Sequence, residues 1–513
     1  MVKPERILVL AIGNESFDHN PFKERNLSVE VVKAVEAQKW FSTAKALVLT
    51  EREGDIAKLK GHFQELLPLA EQQGLALVAF VSPDDMESVT LIKSEMVKEK
   101  NIGQTIEIFP RERIIEAAEY IARAYANPLQ HCTTTIDPIK LEAPEMEVLL
   151  RRAFFDCSRI RLKRLPGGKA SDGVFTVHAW CEGANIGPRP LPFFVKFGKP
   201  RSIERERQNY RTHAELYIPF NLRPNLDRRR CVRGSAFSAL VGNFVEDAVP
   251  LRKALRQEVG DGVLFSLFET SLKAFRSQAF AKSSSKQEAG LDAFVQDCVT
   301  SRKRDKKIKD AKEGEKLLAL TGKFGHLVDP DALEARLCKV AHPIPYWWGP
   351  IHGDLHSGNV MVRRGDSILI DFGSVSDGPL TADPASLEVS LIFGTDAEDD
   401  LAKFDEWKAF VDSAYSCIPR IRPPNPASEP TDFDWLRQSV RELRHVLFGC
   451  DCHDREAEVV LAAYLMRFAR LEIEELDDPK LYELAVLRRA YALVIAEKLV
   501  TEIEKERLTV SMG

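Results

Sequence analysis

Residues 351–373, IHGDLHSGNVMVRRGDSILIDFG, bring together three oxygen-bearing side chains at a spacing that suits phosphoryl transfer. Asp354 follows a glycine in a tight turn, Asn359 comes five residues later, and Asp371 ends the short apolar strand at 367–370. Phosphoryl transfer needs an Asp that orients and deprotonates the attacking hydroxyl, and an Asn and a second Asp that hold Mg²⁺ against the nucleotide phosphates. Mg²⁺ prefers hard oxygen ligands and takes few of them from protein, so Asn359 with Asp371 is a suitable pair.

The segment HGDLHSGNV at 352–360, followed by IDFG at 370–373, resembles the catalytic core of the aminoglycoside phosphotransferase/choline kinase-like enzymes. These enzymes are small-molecule relatives of protein kinases, and His-Gly-Asp is their version of the kinase His-Arg-Asp. The resemblance implies ATP and Mg²⁺ as cofactors, Asp354 as the catalytic residue, and Asn359 and Asp371 as the metal ligands. The alternative is a polar turn between two strands that has this pattern by chance.

Three further polar residues lie in or near the catalytic stretch. We place His352 beside Asp354 at the catalytic site, where we expect it to orient the loop through hydrogen bonds rather than to transfer protons. His356 is open between support of the loop and contact with the substrate. The family has an Asp soon after its metal-binding Asp that braces the catalytic loop, and the resemblance assigns this role to Asp383.

Lys196 lies in an aromatic and β-branched strand, residues 191–197, where an ammonium group is costly unless it meets a negative partner. The resemblance implies two partners, the α- and β-phosphates of the nucleotide and a Glu on the helix that follows. We choose Glu206 as that residue, with Glu204 as the alternative. The other interpretation of Lys196 is an edge-strand lysine whose ammonium reaches water.

Two more stretches are assigned to nucleotide binding. Gly167 and Gly168 lie at the tip of a predicted hairpin, just before the strand that carries Lys196, where backbone amides can fold over phosphates. The resemblance places the hinge between the two kinase lobes around Phe244 and Glu246, whose main chain would read the adenine edge.

The N-terminal residues read as strands alternating with helices, which predicts a parallel sheet covered on both faces. We predict strands at 7–12, 46–50, 75–81 and 106–109, with a helix over 28–41 after the first strand. This part looks like a flavodoxin-like or receiver-like α/β domain. We therefore expect a multidomain chain. The first domain is followed by a bilobal protein-kinase-like α+β domain, whose C-terminal lobe is helical. The predicted parts are the α/β domain at 1–128, a linker at 129–145, the small lobe at 146–250 and the large lobe at 251–513.

The N-terminal domain lacks the acid pair that a phosphate receiver carries after its first strand. Glu15 with Asp84 or Asp85 could form a weak acidic pocket. No glycine fingerprint for a dinucleotide follows the first strand either. We therefore favour a docking or regulatory role for this domain over phosphoacceptance, since the fold alone does not specify function.

Composition excludes several classes of protein. The net charge of −5 in 513 residues, without a dominant basic block, argues against a dedicated nucleic-acid binder. Apolar runs such as 75–81 are far too short for a membrane span. Nine cysteines without framework spacing favour a reducing cytoplasm. The sequence CDCH at 450–453 could suggest a metal site, although a helix terminus is favoured, and the charge run at 302–309 reads as a solvated helix face or as a contact for an anionic partner.

These observations predict an ATP- and Mg²⁺-dependent phosphotransferase that transfers the γ-phosphate to a hydroxyl of a small molecule. The alternative is a nucleotide-binding, pseudokinase-like regulatory module that docks partner proteins in a bacterial multi-protein regulatory or defence complex. A third possibility is transfer to a protein or nucleic-acid hydroxyl.

Overall fold

The computed structural model describes most of the chain, and everything below refers to those residues. They are 7–13, 18–25, 27–40, 44, 46–50, 55–72, 75–100, 106–125, 134–154, 156–165, 173–181, 190–227, 230–234, 236–244, 247–257, 262–282, 290–300, 317–342, 344–416, 431–450, 455–470 and 478–511. The chain forms two compact units. Unit 1 comprises Met1–Tyr210 and Pro224–Glu246, and unit 2 comprises Arg211–Arg223 and Asp247–Gly513.

Unit 1 begins with a five-stranded sheet in which every pair of neighbours is parallel. Its strands, in the order β2-β1-β3-β4-β5, are β1 (Ile7–Gly13), β2 (Leu27–Val31), β3 (Ala46–Thr50), β4 (Ala76–Val81) and β5 (Ile106–Pro110). Its helices are α1 (Asn20–Lys23), α2 (Ala34–Ala37), α3 (Ile56–Gln72), α4 (Met86–Lys100) and α5 (Ile114–Tyr125). Alternate residues of β1, β3 and β4 pack against α3 and α4 on one face, and against α1 and α5 on the other. Burial on both faces explains why β3 and β4 are nearly continuous apolar runs.

The helix predicted over 28–41 is wrong, because its first part forms strand β2. The sequence is rich in β-branched residues, which fit a pleated, half-buried surface. Val29 pairs with Val9 in parallel register, so β2 extends the sheet beyond β1. The short α2 follows it, and the sheet has five strands where four were predicted.

The second sheet of unit 1 has six strands in the order β10-β11-β9-β8-β7-β6. These are β6 (Thr135–Ile136), β7 (Cys157–Arg164), β8 (Gly173–Cys181), β9 (Leu191–Gly198), β10 (Val232–Arg233) and β11 (Ser238–Asn243). All neighbours are antiparallel except β6 and β7, and β6 comes from the stretch predicted as a linker. Helix α6 (Pro144–Ala153) packs its buried residues, such as Leu149, against the sheet, and α7 (Pro200–Asn209) follows β9.

Unit 2 is mainly helical. Its helices are α8 (Glu215–Tyr217), α9 (Leu251–Arg256), α10 (Val263–Ser266), α11 (Lys273–Lys282), α12 (Asp292–Thr300), α13 (317–322), α14 (Pro330–Ala341), α15 (Ala382–Phe393), α16 (Phe404–Ala414), α17 (Asp434–Cys450), α18 (Glu456–Ala469) and α19 (Pro479–Ser511). Its strands are β12 (Val249–Pro250), β13 (Trp348–Ile351), β14 (Val360–Arg363), β15 (Asp366–Leu369) and β16 (Ser376–Pro379). They form a three-stranded sheet, β12-β14-β15, and the pair β13-β16.

Helix α15 lies in the centre of unit 2 and is buried along nearly its whole length. Its Glu388 forms a fully buried ion pair with Arg444 of α17, with 2.8 Å between the charged atoms. The same carboxylate accepts a hydrogen bond from the Tyr415 hydroxyl at 3.0 Å. These bonds satisfy both buried charges and fix α15, whose first turn carries Asp383.

In the described parts of the chain, no helix combines the length and the apolar character needed to cross a membrane.

Candidate functional site

The predicted catalytic loop, 352–359, leads from β13 into the hairpin of β14 and β15. Pairing of Val360 with Leu369 sets the register, and the Ile370 N–H then donates to the Asn359 carbonyl at 3.0 Å. Asp371 therefore follows directly from a strand that is bonded to the end of the loop. Gly353 has a φ of +77°, and a Cβ there would clash with the Ser374 carbonyl oxygen, so the turn before Asp354 requires glycine.

Asp383 braces the first turn of this loop from the start of α15. Its carboxylate accepts hydrogen bonds from the backbone N–H of His352 at 2.8 Å and of Gly353 at 3.1 Å. Burial raises the pKa of Asp383 above its usual value, although the His352 ring and the two N–H donors act in the opposite direction. This geometry fits the bracing role that the resemblance implied.

His352 is buried and holds the loop against the strand that leads to Asp371. Its Nε2 lies 3.0 Å from the Ile370 carbonyl oxygen, so Nε2 must carry the proton and donate it. Because that nitrogen donates within the protein, the placement fits a role of His352 in orienting the loop.

Asn359 and Asp354 are joined by a short hydrogen bond within the loop. The Asn359 side-chain nitrogen donates to the Asp354 carbonyl at 2.9 Å, which leaves Oδ1 as the amide atom suited to a metal. Asp371 has a φ of +62°, a left-handed conformation that is costly outside glycine, and its Oδ1 accepts from the Gly373 N–H at 3.3 Å. Strain of this kind clusters at functional sites.

A resident metal cage is not part of this arrangement. Within the described ranges, no group of three or more His, Cys, Asp or Glu side chains could hold a metal ion. Asn359 and Asp371 provide one amide and one carboxylate, which fits Mg²⁺ only if phosphate oxygens and water complete the octahedron.

Arg467 of α18 contacts the predicted catalytic residue directly, and the sequence did not reveal it. Its Nη2 donates to Asp354 Oδ1 at 2.7 Å, and its Nη1 lies 3.4 Å from the Gly353 carbonyl oxygen. The two side chains are 18% and 31% exposed, respectively, so the pair is only partly screened by water. More than a hundred residues separate them in the chain, and no spacing rule links such distant positions.

His356 lies in the same electrostatic environment as the two carboxylates. Burial lowers its pKa below 6.5, while the charges of Asp354 and Asp371 act in the opposite direction. Its Nδ1 accepts from the Gly358 N–H at 3.1 Å, so the ring supports the loop and is neutral at pH 7. This favours loop support, the first of the two predicted roles.

In unit 1, Lys196 and Glu206 form an ion pair of 2.8 Å, with side chains 12% and 7% exposed. Glu204, the alternative partner, is bonded to Arg207 instead. Strand β9 lies between β8 and β11, so the interpretation of Lys196 as an edge-strand lysine is wrong. The chain thus places the lysine and glutamate in unit 1 and the three loop residues in unit 2.

Several predicted positions fall outside the described residues: Gly167, Gly168, Glu246, Glu15, the charge run at 302–309 and residues 451–454. Phe244 is described, and its N–H donates to the Pro192 carbonyl at 3.1 Å, so that main-chain donor is used within the protein. Asp85 accepts from the Ser82 hydroxyl at 2.9 Å, which gives its carboxylate a local role at the end of β4.

Comparison with known proteins returned solved structures of small-molecule kinases. A thermostable mutant of the aminoglycoside phosphotransferase APH(4)-Ia, in complex with AMP-PNP and hygromycin B, aligns over 70% of this chain and 99% of its own, with 15% identity and a TM-score of 0.38. A choline/ethanolamine kinase family protein from Mesorhizobium loti covers 67% of this chain and 92% of its own, with 14% identity and a TM-score of 0.36. These are the kinds of protein that the catalytic-loop motifs resemble. Both TM-scores are below 0.5, and the two structures do not define the reaction of this chain.

No curated protein matches the chain in sequence. The model of one family does match it, over residues 233–496, which is more than half of the 513 residues and includes the whole catalytic loop and α18. The chain belongs to the family described as Ternary complex associated domain 9.

Proposed function

We propose that this chain is an Mg²⁺- and ATP-dependent phosphotransferase that acts on a hydroxyl of a small molecule. The observation that carries the proposal is the bonded group formed by Asp354, Asn359 and the strand end at Asp371. A loop that hydrogen-bonds its Asn to the backbone of its Asp, beside a strained second Asp, supplies a base and two metal ligands in the order that phosphoryl transfer requires.

In the proposed reaction, Asp354 orients the acceptor hydroxyl and receives its proton. The hydroxyl oxygen forms a bond to the γ-phosphorus, the bond from that phosphorus to the bridging oxygen breaks, and ADP leaves with the electron pair. Asn359 and Asp371 would hold Mg²⁺, which neutralises charge on the phosphate oxygens when bound. Lys196, held by Glu206, would anchor the α- and β-phosphates.

Residues behind this group would position it. Asp383 and His352 fix the first turn of the loop through backbone contacts, and Arg467 fixes the carboxylate of Asp354. A guanidinium at 2.7 Å limits the rotation of the carboxylate, so the base is held ready for an acceptor. The proposal also includes two nucleotide contacts. Gly167 and Gly168 at the glycine-rich tip would cover the phosphates, and the main chain around Phe244 and Glu246 at the hinge would contact the adenine.

The N-terminal domain has a separate role in this account. Its strand order, 2-1-3-4-5, supports the flavodoxin-like assignment. We assign docking or regulation to this domain, residues 1–128. A linker at 129–145, the small lobe at 146–250 and the large lobe at 251–513 complete the proposed division. We place the chain in the cytoplasm.

The second candidate function is a nucleotide-binding regulatory module that docks partner proteins. The description of the family, which names association with a ternary complex, favours it. Both functions predict nucleotide binding, but only the first predicts turnover. Transfer to a protein or nucleic-acid hydroxyl would also give turnover and differs from the first function in its product.

The test is a transfer assay with Mg²⁺-ATP and a metabolite extract, in which phosphorylated products are detected by mass spectrometry. We expect products with the wild type and none with Asp354→Asn. Asp366→Asn, the same change at an exposed position of β15, is the matched control and should keep the activity. Tight Mg²⁺-ATP binding by the wild type without turnover on any acceptor would refute the phosphotransferase and favour the regulatory module.

A further inference from the structure

Arg207 follows Glu206 on α7 and is held between two carboxylates. Its Nη2 lies 2.7 Å from Glu204 Oε1, and the same nitrogen is hydrogen-bonded to Glu107 Oε1. The side chains of Arg207, Glu107 and Glu204 are 17%, 21% and 12% exposed, so the cluster is largely removed from water. Burial by itself would lower the pKa of Arg207, but the two carboxylates raise it well above its ordinary value, so the guanidinium stays charged.

The contact joins two parts of unit 1 that are far apart in the chain. Glu107 lies on β5, the strand at one end of the N-terminal sheet, whereas Glu204 and Arg207 lie on α7, beside the second sheet. Tyr120 of α5 lies beside the same cluster. Its pKa is raised by burial and by the charges of Glu204 and Glu107, so the phenol stays neutral. The N-terminal domain therefore contributes the Glu107 carboxylate and the Tyr120 ring to the cluster around Arg207 of α7.

The buried residues of helix α7 are Ile203 and Glu206, and its N-cap residue, Lys199, makes no capping side-chain hydrogen bond within the described part of the chain. Neighbouring side chains on a helix point about 100° apart, because the helix has about 3.6 residues per turn. A fixed Arg207 therefore fixes the rotation of α7 about its axis, and that rotation decides whether Glu206 reaches Lys196.

We propose that Glu107 and Arg207 are positioning residues through which the N-terminal α/β domain sets the Lys196–Glu206 ion pair. The inference rests on the proposed function for its nucleotide site and adds a means of regulation. Any event that pulls Glu107 away from Arg207 loosens α7 and weakens the hold of Lys196 on the nucleotide phosphates. The N-terminal domain is thus a built-in control of nucleotide affinity rather than a separate attachment.

The experiment uses the full chain and the variants Glu107→Gln and Arg207→Gln. Each should weaken Mg²⁺-ATP binding at least about fivefold, the lower end of measured coupling between sites. Each should also speed hydrogen exchange in α7, residues 200–209, relative to exchange in the strands of the second sheet. The effects of the double variant should be clearly less than additive, since both changes break the same contact. Arg207→Lys, which keeps the charge, should restore part of the affinity.

Two control variants separate this contact from a general loss of charge. Glu112→Gln removes an exposed carboxylate from the same domain, and Arg205→Gln removes an exposed cation from α7 itself. Both should leave affinity and exchange at wild-type values.

The possible failures are distinguishable. Unchanged affinity and unchanged exchange in Glu107→Gln, or equal effects in the controls, would overturn the coupling. A wild type that fails to bind Mg²⁺-ATP would overturn the proposed function, and exchange in α7 would still report whether Glu107 holds the helix.

Discussion

Replacement of Arg467 by methionine tests whether the helical part of unit 2 positions the proposed catalytic base. Methionine keeps much of the apolar stem and removes the guanidinium that donates to Asp354 at 2.7 Å. A hydrogen bond to a charged group contributes about 1.5–3 kcal/mol. Because the two side chains are 18% and 31% exposed, we take the lower end, about 1.5 kcal/mol, which corresponds to about a tenfold loss in rate.

The assay is Mg²⁺-dependent ATP hydrolysis under single-turnover conditions, together with the dissociation constant of Mg²⁺-ATP. We expect Arg467→Met to lower the rate about tenfold and to leave nucleotide affinity unchanged, since Arg467 donates to the proposed base, Asp354, and to the Gly353 carbonyl. Arg470→Met is the matched control, because Arg470 caps the C-terminal end of α18, near Arg467 in the chain, and pairs with Asp331 and Glu334 instead. An unchanged rate, a faster rate, or an equal loss in both variants would refute the positioning role of Arg467.

Three further predictions concern stability and reactivity. Burial raises the pKa of Asp383 above 3.8, so just above pH 3.8 the folded chain binds more protons than the unfolded chain. The stability that this carboxyl contributes therefore falls as the pH rises through its folded pKa. Melting temperatures between about pH 4 and pH 7 should show this fall in the wild type and not in Asp383→Asn. Glu388→Gln should leave the fully buried Arg444 without its counter-charge and destabilise unit 2 by about 3–5 kcal/mol, which hydrogen exchange in α15 and α17 would report; exchange at wild-type rates would contradict it. Burial raises the pKa of Cys298 and Cys450 to about 11, so mass spectrometry after iodoacetamide treatment near neutral pH should find both unmodified in the native protein and alkylated after unfolding.

The local part of the candidate site could be predicted from the sequence because its residues are close together in the chain. Asp354, Asn359 and Asp371 lie on one loop and the strand that follows it, and a short motif carries their spacing. The pair of Lys196 and Glu206 could be predicted because a lysine in an apolar strand requires a negative partner. The family resemblance then implies a glutamate on the next helix, where Glu206 and Glu204 were the two candidates.

What the sequence did not reveal depends on contacts between distant segments. Arg467 and Glu107 look like ordinary charged residues of a helix and of a strand, and only packing brings them to Asp354 and Arg207. The misassigned β2 shows the same limit at the level of secondary structure. Its valines are compatible with helical spacing over a short window, and the pairing with β1 decides in favour of a strand.

Calorimetry of ATP binding with and without Mg²⁺, on the wild type and Asp371→Asn, tests directly whether Asp371 holds a cation against the nucleotide. We expect the wild type to bind ATP tightly only with Mg²⁺, and Asp371→Asn to weaken this binding by at least about tenfold, as losses around metal sites typically do. Asp377→Asn, the same change at an exposed position nearby, should bind as the wild type does. Equal ATP affinity with and without Mg²⁺, unchanged in Asp371→Asn, would refute the proposed Mg²⁺ site at Asn359 and Asp371.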